Sequence, residues 1–265
     1  MHKSHPGGFC ATIRQGEKQM DVKQPQKKSA GKRFAMTLLV IAVVLLALFL
    51  FYTENYYHAD RTAVMSLRTD DFAVVTSSWN GVMFDGPGTE DLLIFYPGGK
   101  VEETAYAPLL RTLAEGGMDV FLVRMPCRLA VFGVNKAEEA LEETADYEHV
   151  YIGGHSLGGA MAAQYAAKHP EELDGVILLA AYAVKPLPED LPVLSVYGTE
   201  DGVLNLEKYE ENLANAPDLR EVVIEGGNHA YFGSYGEQAG DGEAAIDPEM
   251  QWAKTAEAIL QFPEH

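Results

Sequence analysis

Residues 149–159 read HVYIGGHSLGG, and this stretch decides the fold. Its apolar beginning, at 149–153, has the length of a buried strand, and the small residues of 157–169 predict a helix. Between them, GHSLG at 154–158 matches the pattern Gly-x-Ser-x-Gly. In a strand-turn-helix unit this pattern needs small flanking residues and projects the serine oxygen from the carboxyl edge of a sheet. We therefore predict that Ser156 is a nucleophile; a serine that only caps a glycine-rich helix is the alternative.

Apolar runs of strand length alternate with helical stretches on both sides of this turn. The predicted strands cover 71–76, 81–84, 92–96, 119–124, 149–153, 175–181, 191–197 and 220–225. The predicted helices cover 102–115, 136–147, 157–169, 206–214 and 248–262. Continuous apolar strands that alternate with helices indicate a mostly parallel sheet with helices on both faces. The pattern predicts one α/β domain over residues 71–265, without internal repeats.

Three histidines follow Ser156, and a serine nucleophile needs a base. His169 precedes a proline at a helix end and is interpreted as a helix cap, and His265 is the last residue. His229 lies in GGNHAYFG, directly after the strand at 220–225, where a loop can carry an imidazole over the sheet edge. His229 is therefore the predicted base; an ordinary loop histidine is the alternative.

The acid that orients the base is expected between the serine and the histidine in the chain. Asp201 follows the strand at 191–197 in the turn GTEDG and is the predicted acid, with the adjacent Glu200 as the alternative. Three other aspartates in this interval precede strands and are interpreted as turn residues at the opposite sheet edge: Asp174, Asp190 and Asp218.

Acyl transfer also needs hydrogen-bond donors for the oxyanion that develops on the carbonyl group. One predicted donor is the backbone N–H of Leu157, at the start of the helix that follows the serine. The other is predicted in the loop PGGK at 97–100, whose glycines allow N–H groups to turn inward. Gly99 is the preferred donor and Lys100 the alternative; a plain proline–glycine turn is the non-catalytic interpretation.

Residues 34–52 (FAMTLLVIAVVLLALFLFY) carry no charge and predict one transmembrane helix. The leader at 1–33 holds eight basic and two acidic residues, is predicted to be disordered, and should stay in the cytoplasm by the positive-inside rule. The predicted location is therefore the cell membrane, with the C-terminal domain outside and 53–70 as a spacer. The apolar core is longer than that of a signal peptide, which favours an uncleaved anchor; cleavage is the alternative.

The 265-residue chain has a formal net charge of −19, which argues against nucleic-acid binding because neutralising phosphates requires clustered Lys and Arg. Cys10 and Cys127 fall on opposite sides of the predicted membrane, so no internal disulfide is expected. Neither a metal nor a cofactor is predicted, because the other histidines of the outer domain are scattered: His58, His149, His155 and His169. Nothing in the sequence specifies an oligomeric state.

The order YPGG, GHSLGG, YGTED, GGNHAYFG resembles the α/β-hydrolase superfamily. Three longer stretches are similar to the bacterial alpha/beta hydrolase fold-5 group, whose members are often membrane-anchored: YPGGKVEETAYAPLLRTLAEGG, MPCRLAVFGVNKAEEA and GGNHAYFGSYGEQAGDGEA. The resemblance covers residues 71–262 and implies an α/β-hydrolase fold with the triad Ser156, Asp201 and His229. In one departure, Pro97 stands where the oxyanion loop of lipases and esterases often has a histidine.

Together these features predict a membrane-tethered serine hydrolase whose partner is a small-molecule carboxylic ester or thioester. A peptidase or acyltransferase on the same fold is one alternative, and a catalytically silent binding module at the cell surface is another. The short connection at 181–190 leaves no room for a helical cap domain, so an open site is predicted. The polar, glycine-rich segment 233–243 is interpreted as a mobile rim of this site or as a solvent loop.

Overall fold

The structure is a computed structural model that describes residues 30–144 and 147–262. Contacts divide the chain into two compact units, Met1–Ala47 and Leu48–His265. Residues 1–29 of the leader that is predicted to be disordered lie outside the described residues, and so does Cys10. The last four residues of the leader, 30–33, belong to the first helix.

Helix α1 (Ala30–Glu54) contains the predicted transmembrane segment. Its part Gly31–Glu54 is long and apolar enough to cross a membrane, and its most apolar stretch is not buried. At about 1.5 Å per residue, this part spans on the order of 36 Å, against about 30 Å for a hydrocarbon core. A signal sequence near the N-terminus can meet the same criteria of length and apolarity, so α1 is a candidate membrane span.

The second unit, Leu48–His265, is built on one eight-stranded sheet with the strand order β1-β2-β4-β3-β5-β6-β7-β8. The strands are β1 (Val74–Ser77), β2 (Gly81–Asp85), β3 (Asp91–Tyr96), β4 (Met118–Val123), β5 (His149–His155), β6 (Gly175–Leu179), β7 (Val193–Gly198) and β8 (Leu219–Ile224). Pairing is antiparallel from β1 to β2 and from β2 to β4, and parallel throughout the rest. The parallel strands therefore end at one shared edge, the carboxyl edge.

Helices cover both faces of this sheet, as the sequence predicts. The helices that follow α1 are α2 (Arg61–Ser66), α3 (Ala107–Glu115), α4 (Lys136–Glu143), α5 (Leu157–Ala166), α6 (Leu206–Asn212) and α7 (Pro248–Leu260). Side chains of β3 alternate between two buried clusters: Leu93 and Phe95 pack with residues of α3 and α7, whereas Leu92 and Ile94 pack with residues of α4 and α5. The predicted α/β class with a mostly parallel sheet is confirmed.

All five predicted helices are shorter in the structure, and those predicted at 102–115 and 136–147 differ most. The stretch predicted as a helix at 102–115 begins as a 3-10 turn, Glu103–Tyr106, before α3 starts at Ala107. Pro108 lies in the first turn of α3, where a missing N–H costs nothing but where the proline ring restricts the residue before it. The helix predicted at 136–147 ends at Glu143.

The segment 53–70, predicted as a spacer, is part of the second unit. Tyr57 donates its N–H to the carbonyl of Lys100 at 2.8 Å and accepts the N–H of Glu102 at 2.8 Å. Asp60 caps α2 and accepts the hydroxyl of Ser234 at 2.6 Å. Ala63 of α2 is fully buried. Backbone pairing and capping therefore order a stretch whose mixture of aromatic and charged residues shows no periodic pattern.

Candidate active site

Ser156 lies at the sharp turn between β5 and α5. Its backbone angles are φ 54° and ψ −122°, and this positive-φ conformation is strained for a residue with a Cβ. The flanking glycines permit the turn, because a Cβ on Gly154 or on Gly158 would lie 2.5 Å or 2.2 Å from the carbonyl oxygen of Tyr96. The local geometry is thus that of the predicted strand-turn-helix unit, with Ser156 at the carboxyl edge.

Asp201 and His229 meet at the same edge. Nδ1 of His229 donates to Oδ2 of Asp201 at 2.9 Å, and the two side chains are 2% and 1% exposed. The other carboxylate oxygen of Asp201 accepts the N–H groups of Val203 at 2.9 Å and Leu204 at 2.7 Å, which fixes its orientation. With the proton on Nδ1, the Nε2 atom of His229 is left as an acceptor, and it is buried without a hydrogen-bond partner in the described part of the chain.

The alternative acid and the other aspartates lie elsewhere. Glu200 is exposed, and its carboxylate accepts the hydroxyl of Thr199 at 3.2 Å. Asp174 accepts the N–H of Val150 near the start of β5, at the opposite edge of the sheet. The structure therefore pairs Asp201, and not Glu200, with the predicted base.

The loop after β3 offers one free N–H group. Gly98 donates its N–H to the hydroxyl of Tyr106 at 3.0 Å, and Lys100 donates its N–H to the carbonyl of Arg128 at 2.8 Å. Between them, the N–H of Gly99 has no hydrogen-bond acceptor among the described residues. A Cβ on Gly99 would lie 2.8 Å from the Leu157 side chain, so the two predicted donors are neighbours. This geometry favours Gly99 over Lys100.

His155 was not singled out from the sequence, yet it lies against the predicted base. Its ring centroid is 4.4 Å from that of His229, and its Nδ1 atom is 2.7 Å from the hydroxyl of Tyr106. Because the Tyr106 oxygen accepts the N–H of Gly98, its own proton is available to Nδ1. Burial, and then the proximity of His229, hold the pKa of His155 well below its usual value, so His155 is neutral. Its position directly before the nucleophile was the available sequence signal.

The segment 233–243, predicted as a mobile rim or a solvent loop, contains a second residue that the sequence did not single out. The carboxylate of Asp241 accepts the N–H groups of Gly202, His229 and Ala230 at 3.0, 3.2 and 2.7 Å. The loop that carries the acid and the loop that carries the base are therefore both bonded to it. The signal, an aspartate between two glycines at 240–242, was visible in the sequence.

One group of potential metal ligands occurs among the described residues, although no metal site was predicted. Donor atoms of His169, Glu171 and Glu172 lie within 4.8 Å of one another near the surface. His169 does not cap α5, which ends at Ala166; its ring stacks on Tyr165 with the centroids 4.6 Å apart. Glu172 accepts the Tyr165 hydroxyl at 2.5 Å. These contacts with Tyr165 position two of the three side chains.

Known proteins resemble this chain in sequence and in fold. A putative esterase, NocK, from Nocardia uniformis subsp. tsuyamanensis is 43% identical over 79 residues, which cover 28% of this chain and 23% of that protein. A putative non-heme haloperoxidase of Mycobacterium phage D29 is 30% identical over 105 residues, 36% of this chain and 38% of that protein. The chain thus matches less than half of the length of either curated relative.

Among solved structures, a thermostable esterase from Pseudomonas putida superposes with a TM-score of 0.53 at 15% identity and covers 77% of this chain and 88% of its own. That likeness concerns the fold. The sequence profile of the alpha/beta hydrolase family matches residues 92–253, more than half of the chain. This range contains the Ser156 turn, the Asp201 turn and the His229 loop. The chain is a member of the alpha/beta hydrolase family.

Proposed function

We propose that this protein is a membrane-anchored serine hydrolase that cleaves a carboxylic ester or thioester. In this proposal Ser156 is the nucleophile, His229 the base and Asp201 the acid that orients it. The backbone N–H groups of Leu157 and Gly99 are the oxyanion donors. The reaction needs no metal or cofactor.

The proposal is supported by three chain segments that end at the carboxyl edge of the sheet, two of which are joined by the bond between Asp201 and His229, whereas Nε2 of His229 has no hydrogen bond to Ser156. The strained turn at Ser156 follows β5, the Asp201 turn follows β7, and the His229 loop follows β8. A histidine whose Nδ1 is held by a buried carboxylate and whose Nε2 is unpartnered is ready to accept a proton. A neutral buried imidazole without this support would be a weaker base, because nothing would stabilise its charged form.

The proposed chemistry passes through an acyl-enzyme. Nε2 of His229 takes the Ser156 hydroxyl proton while Oγ bonds to the carbonyl carbon, and the carbonyl electron pair moves onto oxygen. The N–H groups of Leu157 and Gly99 stabilise this oxyanion. When the carbonyl re-forms, the bond to the alcohol oxygen or thiol sulfur breaks, and the leaving group takes the proton from His229. Water then attacks the acyl-enzyme in the same way, which releases the acid and regenerates Ser156.

The anchor is part of the proposal. Gly31–Glu54 is a candidate span, and Lys32 and Arg33 near its start favour a cytoplasmic N-terminus. The catalytic unit then lies at the outer face of the cell membrane, where a substrate reaches it without entering the cell.

Labelling of the detergent-solubilised full chain with a fluorophosphonate probe, together with hydrolysis of p-nitrophenyl acetate, tests the proposal. We expect wild type to be labelled and active, and Ser156→Ala to lose both properties by at least roughly 10³-fold. Ser66→Ala, which alters an exposed hydroxyl of α2, is the matched control. Activity of Ser156→Ala within tenfold of wild type contradicts the proposal, and the absence of labelling and hydrolysis in wild type favours a silent binding module.

A further inference from the structure

The carboxylate of Asp241 is bonded to backbone on both sides of the acid–base pair. Besides the N–H groups of Gly202, His229 and Ala230, it accepts the N–H of Gly242 at 2.9 Å. In the turn that carries the proposed acid, the bonded residue is Gly202, the neighbour of Asp201. In the loop that carries the proposed base, it is His229 itself. One side chain therefore accepts four N–H groups from three chain segments.

The loop that carries Asp241 also fits closely against the acid turn. A Cβ on Gly242 would lie 2.0 Å from the carbonyl oxygen of Glu200, and a Cβ on Gly202 would lie 2.7 Å from that of Gly240. On the other side, the side-chain amide of Asn228 donates to the carbonyl of Gly242 at 2.9 Å. The contacts leave no space for a side chain at these glycines, so the segment 240–242 packs closely against the turn that carries Asp201.

We propose that Asp241 is a positioning residue: its carboxylate fixes the Asp201 turn and the His229 loop relative to each other and supports the positive charge that His229 acquires during the reaction. This inference rests on the proposed function, because it assigns Asp241 a role in the same acyl transfer. Asp241 does not touch the reacting atoms; it acts through the backbone of Gly202, His229 and Ala230.

The electrostatic part follows from the groups that face His229. Asp201 and Asp241 are carboxylates and favour its charged form, whereas His155 packs on its ring and is neutral. Behind them, burial raises the pKa of Tyr106 and of Tyr235 above the usual value, so both phenols are uncharged. Removing the charge of Asp241 leaves one carboxylate to support the imidazolium.

A pair of substitutions separates geometry from charge. Asp241→Asn keeps the size of the side chain but turns an amide NH₂ toward backbone N–H groups, and it loses the charge. We expect kcat for p-nitrophenyl acetate to fall roughly 10- to 100-fold with KM within about twofold, since the loss is one of alignment. The acidic limb of the kcat–pH profile should move to lower pH, because one carboxylate near the imidazolium is lost. Asp241→Glu should lose kcat but keep the acidic limb of wild type. Glu243→Gln removes an exposed charge two residues along and is the control.

Hydrogen exchange provides a readout that does not depend on activity. In full-length Ser156→Ala, adding Asp241→Asn should speed amide exchange in peptides covering 199–204 and 226–232, with peptides from β3 and β5 unchanged. Unchanged exchange there, or an Asp241→Asn enzyme with wild-type kcat and acidic limb, overturns the inference. If Asp241→Asn does not fold, Asp241→Glu decides: wild-type kcat contradicts positioning. An active Ser156→Ala enzyme would instead overturn the proposed function. The exchange data would still test whether Asp241 fixes the Asp201 turn and the His229 loop relative to each other.

Discussion

The hydroxyl of Tyr106 donates a hydrogen bond to Nδ1 of His155 at 2.7 Å, across 49 residues of chain. Tyr106 follows the loop that carries Gly99, and His155 directly precedes Ser156, so this bond joins the two segments that hold the proposed oxyanion donors. Both side chains are buried, and the pKa of each is shifted in the direction that keeps it uncharged. The hydroxyl of Tyr106 can donate to Nδ1 only while His155 is unprotonated, because a protonated Nδ1 is itself a donor.

Stability in acid should therefore depend on His155. Its folded-state pKa is depressed, so below about pH 6.5 the unfolded chain binds a proton that the folded chain does not. This group lowers the free energy of unfolding as pH falls, by up to about 1.4 kcal/mol per pH unit. We expect His155→Gln to lose less stability than wild type between pH 7 and pH 5, in urea unfolding followed by circular dichroism.

The matched control for this experiment is Ser66→Ala. It alters a hydroxyl of α2 and no titratable group, so it should leave the pH dependence of unfolding unchanged. A wild-type pH dependence in His155→Gln would mean that His155 is charged, or hydrated, in the folded protein.

The acid should be Asp201 and not its neighbour. Asp201→Asn removes the carboxylate that holds the Nδ1 proton of His229, which favours the wrong tautomer, so kcat should fall on the order of 10³- to 10⁴-fold. Glu200→Gln should retain activity within about threefold, because the Glu200 side chain is exposed and does not touch His229. Both variants are compared by p-nitrophenyl acetate hydrolysis. A larger loss of kcat in Glu200→Gln than in Asp201→Asn would assign the role of the acid to Glu200.

The parallel sheet and the candidate residues could be predicted because each depends on a local signal. Buried strands such as β3 and β5 are continuous apolar runs. Ser156 follows the buried strand β5 and Asp201 the mostly buried strand β7, whereas His229 follows β8, an edge strand that is buried only at Ile224. In a parallel sheet the carboxyl ends of the strands lie at one edge, so chain order predicts all three positions at that edge.

Contacts between loops could not be predicted in the same way. Asp241 lies in a polar, glycine-rich segment without periodicity, and its role depends on which N–H groups the turns after β7 and β8 leave unpaired. Tyr57 likewise lies in a segment without a pattern, yet it pairs with the backbone of Lys100 and Glu102. Such partners are set by the tertiary fold, which a single sequence does not show residue by residue.

The anchor should keep the full-length protein in the membrane fraction. Gly31–Glu54 has the length of a span, and the basic leader favours a cytoplasmic N-terminus. Protease added to intact cells should digest the second unit and spare an N-terminal epitope tag. In lysed cells the protease should digest both. N-terminal sequencing that finds the mature chain beginning after Phe51 would show instead that α1 is a cleaved signal sequence.

The segment 53–70 should be needed for full stability and activity of the second unit. Tyr57 pairs with Lys100 and Glu102 beside the oxyanion loop, and its ring lies 5.5 Å from that of Tyr235, in the segment that follows His229. A soluble version that begins at residue 71 loses these contacts, whereas one that begins at residue 53 retains them. We expect the shorter version to melt at least roughly 5 °C lower and to have a lower kcat.

Point substitutions in the longer version refine this comparison. Tyr57→Ala removes the ring and the hydroxyl that accepts the N–H of Ala239, so it should reproduce part of the loss in melting temperature and kcat. Val64→Ala alters a side chain of α2 that is 57% exposed and should change neither. Equal melting temperatures and kcat values for the versions beginning at 53 and 71 would show that the segment is a passive spacer. A loss confined to stability would mean that it supports the fold but not the geometry of the oxyanion loop.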